Sequence, residues 1–291
     1  MRHAFVTATT VLTALLLLTH GTMAQDKDPR ITDLVSRMRA DIEATKTAET
    51  EMTLRLDVVG LPTPPQLQRM VIHTWRDHEN MRVEMPHMNA VTVISDNELT
   101  MYQGAAGFAV HIPADAMVQI KAQQEQVLAR VGLPNDPGEM IVALLEKGMA
   151  TVAGEESVDG VDCWVIQLAP DSFEAMMGSG MPMGGMLGGM GGGGIVAKFS
   201  DISMLMGKDT AVPKRMDTSL TLTQPNGVVI KVGLQIAFTK VEYGVEIPAA
   251  LFSFEIPEGV QVVEWTVDKP VDQVMQEIQE AAMGGAEEVE E

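Results

Sequence analysis

Basic residues are scarce in this sequence: 20 Lys and Arg stand against 40 Asp and Glu, a formal net charge of −20. No basic stripe along the chain offsets that excess, which repels phosphate backbones and anionic headgroups and excludes nucleic acid as a partner. Cysteine is limited to Cys163. One thiol cannot close an internal disulfide, so the fold must be held by packing, and Cys163 in an apolar strand pattern reads as a small buried hydrophobe. Aromatics are few, 4% of the chain. Long apolar runs are missing as well: Val11 to Leu18 is under half of the ~20 residues that span a bilayer, and no comparable run follows. That predicts no stable membrane insertion.

Motifs that carry chemistry are absent too. The glycine run lacks the Lys-Ser/Thr ending of a phosphate-binding loop, and no GxGxxG joins a strand to a helix. His78-Glu79 is not followed by the second His of a zinc-protease helix, and there is no GxSxG elbow. Beyond residue 24 the histidines are His73, His78, His87 and His111, each isolated in strand-like or turn sequence. Carboxylates are abundant but fall on polar faces, so no acid/base pair stands out. The expectation is a protein without catalytic residues, metal site or cofactor.

What is present is a secretory leader and a globular domain. Arg2 and His3 precede the short apolar run, and Thr22-Met23-Ala24 closes it with small residues suited to signal peptidase, so residues 1–24 read as a cleaved signal peptide and the mature chain as secreted. The 46% hydrophobic content is enough for a packed core. Ile31, Leu34, Val35, Met38 and Ile42 recur at helical spacing, and from Met52 the period drops to two, with Leu54, Leu56 and Val58 alternating against Thr53, Arg55 and Asp57. Strands are expected at 66–76, 81–85, 91–95, 99–102 and 108–112, joined by turns short enough for an antiparallel meander. Helices are expected at 116–131 and from Asp136-Pro137 to Gly148. Strands resume at 150–157 and 161–168 about an Asp159-Gly160 turn, then at 216–223 and 228–239 about Pro225-Asn226-Gly227, and at 251–256. Residues 266–291 form a C-terminal amphipathic helix with an acidic tail.

These elements add up to an α+β fold: a curved antiparallel half-barrel of about ten strands whose apolar, concave face is covered by helices. Residues 173–194 fit no regular element, because Met176, Met177, Met181, Met183, Met186 and Met190 lie among glycines. The segment reads as a low-complexity insertion, as an adaptable apolar flap with Met181, Met183, Met186 and Met190 as its contacts, or as a soft-metal trap for Cu(I).

Three local patterns resemble the periplasmic outer-membrane lipoprotein carrier family (LolA-like). Trp75-Arg76-Asp77-His78-Glu79-Asn80-Met81-Arg82-Val83-Glu84 is similar to its Trp strand, polar turn and Arg-x-Glu strand. Ser95-Asp96-Asn97-Glu98-Leu99-Thr100-Met101-Tyr102 is similar to its Ser-Asp-Gly turn and aromatic-tipped strand. Phe252-Ser253-Phe254-Glu255-Ile256-Pro257-Glu258-Gly259-Val260-Gln261-Val262 resembles its closing Phe-x-Phe-x-x-Pro-x-Gly-Val-x-Val. The likeness runs from about Arg30 to Trp265 and makes 28–265 a carrier domain. It departs where the family has an Arg-Pro whose Arg helps latch the lid; here stand His78-Glu79, with Arg76 nearby.

The resemblance implies a carrier that hides the acyl chains of a lipoprotein, or another lipid, in an apolar cavity and shuttles it towards the outer membrane, between an inner-membrane release complex and an outer-membrane acceptor. On the inward rows the lining would be Leu54, Leu56, Met81, Met85, Val93, Leu220, Ile230, Leu234 and Ile236. An envelope sensor that binds a partner protein on the same scaffold is the alternative reading.

Overall fold

A computed structural model describes residues 28–44, 46–59, 69–131, 134, 137–169, 196–223 and 226–284. Helix α1 (Pro29–Ala44) opens the domain, and six strands follow: β1 (Thr47–Val59), β2 (Met70–Asp77), β3 (Asn80–Met85), β4 (Ala90–Ser95), β5 (Glu98–Gln103) and β6 (Phe108–Ile112). Helices α2 (Ala114–Val131) and α3 (Pro137–Glu146) interrupt the strands. Then come β7 (Ala150–Val158), β8 (Val161–Leu168), β9 (Val196–Gly207), β10 (Pro213–Thr223), β11 (Val229–Tyr243) and β12 (Gln261–Glu264), with α4 (Val271–Gly284) last. The expected signal peptide, the whole Met- and Gly-rich segment 173–194 and residues 285–291 of the acidic tail lie outside the described residues.

The strands form one 12-stranded sheet in the order β12-β6-β5-β4-β3-β2-β1-β11-β10-β9-β8-β7. All neighbours are antiparallel except β12, which runs parallel to β6. β12 and β7 each have one neighbour, so the sheet is open. Local chemistry sets its turns. Asp159 and Gly160 both take positive φ, 50° and 79°, the requirement of a two-residue hairpin matched to strand twist. Asp28 caps α1, its Oδ1 accepting the Arg30 backbone N–H at 3.0 Å.

Opposite residues in a ladder share a face, and alternation sends their neighbours to the other one. Register therefore divides the sheet into an apolar face and a polar one. One row on the apolar face runs Met70, Leu54, Ile236, Met216, Met204, Ile166, Val152 across β2, β1, β11, β10, β9, β8 and β7. A second runs Met81, Ile94, Leu99, Ile112 across β3 to β6.

The helices sit on the apolar face, and among the described residues their buried clusters lie towards its two ends. Leu34, Val35 and Met38 of α1 and Val142, Leu144 and Leu145 of α3 close one core over β7 to β10, with Ile166, Ile202, Met206 and Leu220 beneath. Met117 of α2 and Val274 and Ala281 of α4 close a second core over β6 and β12, with Phe108, Val110 and Val263. Short connections explain where these helices begin or end: Pro113 joins β6 to α2, residues 147–149 join α3 to β7, and 265–270 join β12 to α4, so one end of each helix is held beside the strand that it adjoins.

Three strand expectations change, one of them being β12 (Gln261–Glu264), which lies beyond the last strand expected. Residues 251–256 are not a strand: a 3-10 turn at Ala249–Phe252 leads into a strap on the polar face, with Phe252 buried and Phe254 5.5 Å from the Tyr102 ring. The Phe-x-Phe alternation reflects packing onto a sheet rather than pairing within one. The strap is pinned by Arg82, whose Nη1 donates to the Leu251 carbonyl at 2.9 Å and the Ser253 carbonyl at 3.4 Å. Conversely, β9 was not expected. A register shift opposite Asp217/Ser219, with Asp201 at φ 51°, breaks the alternation that would have marked it.

Candidate functional site

Between the two cores, β11, β1, β2, β3 and β4 carry apolar side chains that neither helix pair buries fully. Met52, Leu54, Leu56 and Val58 on β1 stand opposite Phe238, Ile236, Leu234 and Val232 on β11. Ile72, Met81, Val83, Met85 and Ile94 continue the surface across β2, β3 and β4. Apart from buried Ile236, these residues are half-buried. Polar atoms on the strip come from Thr50, Thr74 and Thr92, and the sole charged residue of β1 to β5 on this face is Arg76, near the strip's end. A surface this apolar, and this free of charge, is chemically suited to hydrocarbon rather than to a polar substrate.

Methionine gives the face its character. Met52, Met70, Met81, Met85, Met101, Met204 and Met216 all point to this side. Unbranched thioethers fill irregular gaps and re-pack at low cost, which makes this an adaptable apolar surface.

The nine lining residues expected from the sequence separate into three groups. Leu54, Leu56, Met81, Met85, Ile230 and Leu234 lie half-buried on the apolar face. Leu220 and Ile236 share the face but are buried at 4% and 7% exposure, so they belong to packed core. Val93 is a correction: it pairs with Arg82 on the polar face and is 4% exposed there. Alternation within β4 was read one residue out of phase, because Val91, Val93 and Ile94 are all apolar and the strap buries the polar-face set. Met181, Met183, Met186 and Met190 lie outside the described residues, as does any copper site that they would form.

One contact was missed by sequence reasoning. Lys121 of α2 donates from Nζ to Asn97 Oδ1 at 2.9 Å and contacts Glu79 Oε2 at 3.4 Å, tying the helix to the β4–β5 and β2–β3 turns at one end of the strip. Glu79 comes from the His78-Glu79 turn between β2 and β3. Nothing in sequence spacing links residues 42 positions apart.

Elsewhere the chemistry is quiet. Among the described residues no group of three or more His, Cys, Asp or Glu is placed to hold a metal ion. Burial pushes the Cys163 thiol up, away from the reactive thiolate. A groove of about 290 Å³ runs beside α1, lined by Ile31, Thr32, Val35, Ser36, Arg39 and Glu146. It lies away from the strip, is crossed by the Arg39–Glu146 ion pair at 2.9 Å, and falls at the lower bound of small-ligand pockets. No helix among the described residues is long and apolar enough to cross a membrane.

No protein-family model matches the chain, and no curated protein does. Among solved structures, a LolA superfamily protein from Nitrosomonas europaea aligns with 75% of this chain and 96% of its own, at 10% identity and a TM-score of 0.29. A likeness at that identity and score carries no functional weight.

Proposed function

We propose that this protein is a non-enzymatic lipid carrier that holds acyl chains, of a lipoprotein or another lipid, against the half-buried apolar strip on β11, β1, β2, β3 and β4. The observation that carries the reading is the gap between the two cores: the helices close each end of a continuous apolar face and leave its centre partly wet. Three acyl chains of roughly 40 methylenes in all would cost about 30 kcal/mol in water at ~0.8 kcal/mol each, so any such cargo needs a host surface. A carrier must also let go, and pliable methionines on an unsealed strip favour shallow binding over a rigid well.

The motif resemblance points the same way, and the leader at residues 1–24 would deliver the chain to the periplasm. There it would pass cargo from an inner-membrane donor to an outer-membrane acceptor. Purification without detergent, followed by organic extraction and mass analysis, is expected to recover bound acyl lipid, and a polarity-sensitive fluorophore is expected to compete with it. Protein free of acyl species that also leaves the fluorophore unquenched and unshifted would overturn the reading.

A further inference from the structure

At the end of the sheet opposite the Lys121 tie, the polar face gathers basic residues that the chain keeps far apart. Val59 of β1 lies opposite Lys231 of β11, Lys231 opposite Thr221 of β10, and Thr221 opposite Lys198 of β9, so two lysines share one row. They lie two strand spacings, or roughly 10 Å, apart. Arg55 stands on the same face four residues along β1, and Arg69 immediately precedes β2 at that level. All four are exposed and form no ion pair among the described residues; Asp57 is the carboxylate of β1 between them. Apolar side chains protrude in the same place. Val59 is 65%, Val229 55% and Val228 47% exposed, which ranks them among the barest large hydrophobics described.

We infer that this basic, valine-studded end is a docking surface for an anionic lipid bilayer. Exposed apolar side chains beside unpaired cations are the two components of interfacial binding, hydrocarbon into the headgroup boundary and charge against anionic lipid. The overall charge of −20 does not prevent it. At physiological ionic strength the Debye length is about 8 Å, so a membrane touching this end responds to the cations there and only weakly to carboxylates across the molecule. The missing basic stripe thus holds for the linear sequence alone, because folding assembles the cluster from β9, β11, β1 and the start of β2. Because the acidic remainder of the molecule disfavours other orientations, the contact also fixes which end meets the bilayer.

The test is sedimentation of the purified full chain with vesicles of phosphatidylcholine, alone or with one quarter phosphatidylglycerol. This readout requires no acyl cargo and so stands or falls separately from the carrier function. Binding is expected to the anionic vesicles only and to weaken at 0.5 M salt. Each removed cation should lower the partition coefficient about fivefold, so K198E/K231E should lower it at least about 25-fold. R55E/R69E should repeat the loss, while Lys46→Glu at the far end should leave it unchanged; circular dichroism verifies that each variant is folded. Equal binding to both vesicle types, no binding to either, or undiminished binding by K198E/K231E and R55E/R69E would overturn the inference, the second outcome pointing to an acidic protein surface instead.

Discussion

Residues of the same type do different work depending on which side of the half-buried boundary they occupy. Ile166 and Leu144 are at most 1% exposed within a packed core, so truncating either to Ala should cost about 3 kcal/mol in chemical denaturation, the usual range for a cavity that cannot collapse. Leu56→Ser or Met81→Ser on the strip should leave the unfolding midpoint nearly unchanged and weaken binding of a fatty-acid probe several-fold. A strip variant that unfolds early while binding normally would show that those positions are core. Titration separates residues as well. The Arg30 side chain holds the Asp28 carboxyl below its usual value of 3.8, Lys269 and Gln273 hold that of Glu277 below 4.5, and Thr266 does so for Asp268. A depressed carboxylate stabilises the fold fully above its ordinary value, and the contribution is lost as pH falls through the lowered one. The body of α4 should therefore lose hydrogen-exchange protection below about pH 4.5 and the start of α1 below about pH 3.8, both ahead of the central strands. Protection of both helices that is flat down to pH 3 would contradict this.

Elements differ in how they are anchored. The strap after β11 has no ladder of its own and depends on Arg82, which also donates from Nε to Glu84 Oε1 at 2.6 Å and lies 5.9 Å from the Phe254 ring. Arg82→Ala should destabilise the protein by about 1 kcal/mol, since it removes the hydrogen bonds to the part-buried Leu251 carbonyl and the exposed Ser253 carbonyl, and should open residues 249–254 to proteolysis first. A normal melting curve and an intact strap would mean that Phe252 alone holds it. Helix α2 is tied by Lys121, an exposed pair worth little in stability. Lys121→Ala is accordingly expected to spare the melting curve and to quicken probe exchange from the strip, read by stopped-flow fluorescence. The elements legible in sequence were those whose period is uninterrupted: α1, the β1 alternation and the Asp159-Gly160 hairpin follow from local chemistry. β9 was hidden by its register shift, and the strap imitated a strand because Phe252 and Phe254 alternate as a ladder would.

At the scale of the molecule, the apolar face and its approximate lining were readable from alternation, because period two is a property of each strand. Where the helices come to rest was not, since it depends on which strands end up at the edges of the sheet. Sheet order places β1, the first strand in sequence, in the middle beside β11, and so leaves the centre of the face between two plugged ends. The same ordering collects Arg55, Arg69, Lys198 and Lys231, which no scan of the linear chain would join. The central claim is that hydrocarbon binds in that gap. A photoreactive fatty acid, cross-linked to the native protein and mapped by peptide mass, tests it most directly. Adducts are expected on Leu54, Leu56, Ile72, Met81, Met85 and Leu234, and excess unlabelled fatty acid should suppress them. Adducts confined to the α1 groove or scattered over the surface without competition would contradict the account.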